Sequence, residues 1–240
     1  MRREYPGGMV RRGKAIHRPA SRRNLGVTRA AQDESMGQPC TLLLEIAADD
    51  LGELAAADRR IVLAKPAGRG PHVAWLTFEP RARRTIVWDD RYGVFAARAG
   101  ARIGARIDVS SCVYPAAARM IYTFDGATFA EARPEVRVPP GHFDIWNAGP
   151  SAATFGLLQR ATIDGVTVSS PLNAIVLPAD FTADFAPVER VYLWAQHGVE
   201  PGAVIREVPA DAAVIAFDRP GGARTYRYDL GASAFASAAD

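Results

Sequence analysis

The sequence predicts an all-β fold: a β-sandwich or a barrel-like pair of antiparallel sheets, with one short helix near residues 50–57. Three observations carry this expectation. About 17 short runs are enriched in β-branched and aromatic residues, many of them about 8–12 residues apart. Gly (21) and Pro (17) are plentiful enough to punctuate that many turns. In Arg224–Leu230 the residues Tyr226, Tyr228 and Leu230 share one face of a period-two pattern, while Thr225, Arg227 and Asp229 share the other. Such alternation is the mark of a half-buried antiparallel strand.

The elements follow in order. Cys40–Ile46 reads as a buried strand. Asp49 or Asp50 then stands where a side-chain carboxylate caps a helix over Leu51–Ala57. Strands are expected at Ile61–Ala64, Val73–Phe78, Thr85–Trp88, Tyr92–Ala97 and Arg102–Val109. The less regular middle yields Met120–Phe124, Glu135–Val138 and an extended His142–Asn147, with turns at Pro139-Pro140-Gly141 and Gly149-Pro150. The second half resumes with Thr154–Leu158, Val166–Ser169, Ala174–Leu177, Phe181–Phe185, Val191–Ala195, Ala203–Val208, Val214–Phe217 and Thr225–Tyr228, before a frayed terminus of small residues.

The chain also carries a faint internal echo. Gly104-Ala105-Arg106-Ile107 reappears as Gly202-Ala203-Val204-Ile205, each copy after an aromatic-rich run. Asp90-Arg91 and Glu189-Arg190 precede those runs and read as structural ion pairs. The echo suggests two similar units, about 39–125 and 140–235, within one β-rich domain spanning 39–240.

Charge is uneven. Residues 1–38 hold nine Lys/Arg against three acids, a balance of +6, and the remainder holds 20 against 23, a balance of −3. The first 38 residues lack apolar periodicity and read as a disordered basic arm, with Met36 as an alternative start. The near-neutral remainder gives no electrostatic case for nucleic-acid binding. Cys40 and Cys112 both flank apolar text and read as two buried thiols. With no signal-like h-region and no apolar run of about 20 residues, a cytoplasmic location is expected.

No G-x-S-x-G, H-E-x-x-H, Walker loop, paired C-x-x-C or EF-hand loop occurs. No cofactor and no metal site is therefore expected, and no catalytic residue is assigned. The best candidate ligand site is Gly141–Asn147. In an extended strand His142, Asp144 and Trp146 point one way and Phe143 and Ile145 the other. A titratable ring, a carboxylate and an indole platform on one face suit a sugar or another small polar ligand; Asn147 adjoins them. Trp88, Asp89 and Asp90 form a second candidate, weighed against a plain turn, and His197, beside Trp194 and Gln196, a third. The favoured function is a non-enzymatic binding protein, recognising carbohydrate or a protein partner and self-associating through sheet edges. The alternatives are a β-type membrane-active toxin, with Ala161–Ser170 as the nearest amphipathic hairpin, and a hydrolase or isomerase using His142 and Asp144.

Overall fold

The computed structural model describes residues 11–12, 39–68, 70–98, 100–217 and 221–238. In chain order the elements are β1 (Arg11–Arg12), β2 (Cys40–Glu45), α1 (Ala48–Ala56), β3 (Arg59–Ala64), β4 (Leu76–Phe78), β5 (Arg83–Trp88), β6 (Tyr92–Arg98) and β7 (Val109–Val113). They continue with β8 (Met120–Phe124), β9 (Phe129–Pro134), β10 (Phe143–Asn147), β11 (Ala153–Ile163), β12 (Val166–Pro171) and β13 (Ile175–Leu177). The last are β14 (Phe181–Phe185), β15 (Arg190–His197), β16 (Ala213–Ala216), β17 (Gly222–Asp229) and β18 (Ala234–Ser237). Apart from the β1 pair, the basic-arm reading of residues 1–38 lies outside the described residues.

The strands form three open sheets, none closed into a barrel, so the sandwich alternative holds and the barrel one does not. Sheet A runs β1-β14-β10-β8-β9, sheet B runs β18-β17-β2-β5-β11-β6-β7, and sheet C runs β16-β15-β3-β4. Strands β12 and β13 also pair with β11. Pairing is antiparallel except for β8–β10 and β2–β17. One apolar cluster joins all three sheets, from Leu42 and Leu44 through Leu63, Trp75, Trp88 and Phe155 to Ile145 and Phe185.

Local sequence explains most elements. Strand β2 alternates, burying Cys40, Leu42 and Leu44. Strand β11 is buried almost throughout, because β6 and β5 pair along one edge and β12 and β13 along the other. Its Gly156 is a steric requirement. A Cβ there would lie 2.8 Å from Asn173 Oδ1 and press on the Asn173 carbonyl. The Asn173 carboxamide in turn accepts from Leu157 N (3.0 Å) and donates to Ala67 O (2.9 Å).

Several expectations need correction. Helix α1 is not capped by Asp49 or Asp50: its cap residue is Ala47, and both acids sit in the first turn, where they face the positive end of the helix dipole. The strand expected over Val73–Phe78 shortens to β4. The strands expected at Arg102–Val109 and Ala203–Val208 are instead single bridges, Val73↔Val204 and Arg106↔Ala203. Gly104 (φ +80°) and Gly202 (φ +76°) occupy the left-handed region, which interrupts a ladder. The two echo segments thus lie against each other, Gly104 N donating to Val204 O (2.7 Å) and Ile107 N to Gly202 O (2.9 Å). Glu135–Val138 is a turn with Val136 88% exposed, and the true strand is β9 before it. Cys112 is exposed, because β7 is an edge strand with one wet face; Cys40 alone is a buried thiol. The supposedly frayed terminus forms β18, anchored where Phe235 meets Tyr228 edge-on at 5.1 Å. Leu230 is exposed rather than sharing the inner face of Tyr228.

Candidate functional site

Strand β10 sits in the middle of sheet A and buries alternate residues. Phe143, Ile145 and Asn147 point inward, while His142, Asp144 and Trp146 occupy the other, half-exposed face, as alternation requires. The register with β14 places Asp184 opposite Asp144 and Thr182 opposite Trp146. The register with β8 places Ile121 and Thr123 on the far side. His142 Nδ1 lies 2.8 and 3.1 Å from the two carboxylate oxygens of Asp184.

Burial first, and then the neighbouring Asp184 charge, pushes the Asp144 carboxyl up to about 6, with His142 pulling the other way. Two carboxylates directly across a strand pair repel each other when both are ionised. A proton on Asp144 relieves that repulsion. Trp146 Nε1 and Thr123 Oγ1, register partners on this face, have no hydrogen-bond partner among the described residues. The face therefore offers an acceptor pair, an imidazole and an indole ring whose Nε1 is itself buried. Asp184 escaped the sequence reading because it lies 42 positions from His142, on another strand.

The other sequence-derived candidates disperse. Asn147 is fully buried, and its Nδ2 lies within hydrogen-bonding distance of the carbonyls of Ser151 (2.9 Å), Leu177 (3.1 Å) and Pro178 (3.1 Å); it holds turns together. Trp88 is a core residue, edge-on to Trp75 at 5.5 Å and to Phe217 at 5.1 Å. Asp89 makes the turn, accepting from Arg91 N (3.1 Å) and from the Arg91 guanidinium (2.7 Å), and Asp90 is exposed beside it. His197 Nδ1 is 3.2 Å from Asp58 O, at the rim of a cleft of about 550 Å³ shared with Gln196, Glu200, Arg206 and Glu207. None of the three described clefts, 400–550 Å³ in volume, is lined by His142 or Trp146.

A second cluster was invisible to motif reading. Lys65 follows β3 and is 0% exposed. Its Nζ lies 2.8 Å from Gln159 Oε1 of β11, 3.5 Å from Tyr92 Oη and 3.6 Å from Glu189 Oε2. The rings of Trp75, Trp88 and Tyr92 surround it at 5.4, 5.6 and 5.4 Å. Tyr92 Oη also donates to Glu189 Oε1. The acid of the second echo thus serves Lys65 and Tyr92, while Arg91 of the first pairs with Asp89; the two acid–Arg pairs are not equivalent. Burial lowers the Lys65 pKa from its ordinary value, with the Glu189 charge opposing. The one sequence signal was a lysine within Ile61-Val62-Leu63-Ala64-Lys65-Pro66, in a chain whose 29 Lys/Arg include only one other lysine, Lys14.

Among the described residues no three His, Cys, Asp or Glu side chains converge as metal ligands, and no helix is long and apolar enough to cross a membrane. Comparison with family models, with curated proteins and with solved structures returns no match.

Proposed function

We propose that this chain is a non-enzymatic binding protein whose sheet A face recognises a small hydroxylated ligand, a sugar being the simplest. The observation that carries this reading is the company of Asp144: a second carboxylate opposite it, an imidazole on that carboxylate and an indole two residues along the same face. Carboxylates and imidazole exchange hydrogen bonds with hydroxyls, and the indole face stacks on the apolar side of a sugar ring.

The alternatives have less support. The β11–β12 hairpin that would serve a membrane-inserting toxin has a second arm of six residues, short of the ~9–11 a spanning strand needs. For a hydrolase, His142 pairs with Asp184 rather than Asp144 and lines none of the described clefts.

Calorimetric titration with a panel of mono- and disaccharides tests the proposal. Saturable binding is expected for at least one of them, and Trp146→Ala should weaken it by about tenfold or more, equivalent to about 1.4 kcal/mol. A panel without any binder, or a binder indifferent to both Trp146→Ala and Asp144→Asn, overturns it.

A further inference from the structure

We propose that Lys65 and Gln159 are joined autocatalytically by an intramolecular amide bond, with Glu189 as the proton carrier. This inference is independent of the ligand-binding reading, since the cluster shares no residue with the sheet A site. It rests on four features found together: a buried amine, a primary carboxamide in contact with it, a carboxylate in reach of the amine, and a wall of aromatic rings around the amine.

The step balances without any added reagent. The Nζ lone pair attacks Cδ of Gln159, one C=O bond (about 1.2 Å) beyond the oxygen that Nζ already contacts at 2.8 Å. The Cδ–Nε2 bond breaks, ammonia leaves, and a secondary amide remains between the two side chains. The Glu189 carboxylate accepts the proton that Nζ loses, and the departing nitrogen gains one. Tyr92 is placed to relay it, because its hydroxyl touches Lys65, Gln159 and Glu189.

Each element of the fold favours this chemistry. An amine must be unprotonated to attack, and the full burial of Lys65 disfavours the ammonium, with the Glu189 charge and the faces of Trp75, Trp88 and Tyr92 pulling the other way. Holding amine and amide in contact converts a sluggish bimolecular reaction into an intramolecular one. The same walls exclude the water that would otherwise compete. Gln159 Nε2 donates to Asp89 O at 2.6 Å, at the partly exposed Asp89–Arg91 turn, which directs the leaving nitrogen toward solvent. Glu189 spans inside and outside: one oxygen faces Lys65, yet its side chain is 43% exposed, so it can exchange protons with bulk water. Burial pushes the Cys40 thiol pKa up, which keeps this neighbour from acting as a rival nucleophile.

Intact mass spectrometry of the denatured full-length chain decides the matter. The expected mass is that of the sequence less one ammonia, and digestion should yield one branched peptide carrying both Lys65 and Gln159. With only two lysines in the chain the assignment is unambiguous. Glu189→Gln, which alters a half-exposed side chain, should keep the native circular dichroism spectrum but slow bond formation by on the order of 10²–10⁴-fold. Gln159→Ala should restore the full mass. A folded wild-type chain of full mass, giving separate Lys65 and Gln159 peptides, overturns the proposal; cross-linking of Glu189→Gln at the wild-type rate overturns the part assigned to Glu189.

Discussion

Gly156 and Asn173 meet so closely that neither tolerates a larger neighbour. Gly156→Ala is expected to cost about 3 kcal/mol, the upper end for overpacking, because the clash includes backbone and cannot be relieved by a rotamer change. Urea unfolding would measure it. Asn147→Ala strands the buried carbonyl of Leu177 and should cost about 2 kcal/mol in the same assay. Asp144 supplies a pH signature. Its pKa rises from 3.8 to about 6 on folding, so its contribution favours the folded state below pH 4 and is lost as pH climbs through 6. Screening at this half-exposed site holds the effect to about 2 kcal/mol or less. Asp184→Asn removes the opposing charge but not the burial, and should reduce without abolishing the dependence of stability on pH between 4 and 6. At this scale His142, Asp144 and Trp146 were legible because strand alternation is a local property. Asn147 was misread because its one-residue offset turns it inward, where a carboxamide serves carbonyls instead of a ligand.

Single elements depend on few contacts. Helix α1 buries Leu54 against the core and leaves Asp49 exposed and Asp50 half-buried in its first turn. Leu54→Ala should therefore cost about 2–3 kcal/mol and release the helix locally, detectable as faster amide exchange over residues 48–56. At the other end of the chain, β17 pairs with β2 in parallel register over six residues and β18 closes that edge. A chain ended at Phe217 leaves β2 with an unpaired row of N–H and C=O groups. Such a chain should aggregate, which size-exclusion chromatography would show. Strands β9 and β18 were not legible, since Phe129 and Phe235 are their only large apolar residues and the partner strand supplies the rest of the order.

Across the whole molecule, strands from early and late in the chain mix in every sheet, and one apolar cluster touches all three. Unfolding one sheet uncovers the faces of the others, so scanning calorimetry should record a single cooperative transition. All-β character, the approximate place of the helix and the polar face of β10 were determined by the sequence alone. Each follows from period, turn chemistry and side-chain volume within a few residues. Only the tertiary structure decided that Asp184 sits opposite Asp144, that Cys112 is exposed, and that Lys65 meets Gln159 across 94 positions of chain. Those meetings depend on strand order and register between distant segments, which are settled when the sheets compete for a shared interior and leave no trace in any local pattern.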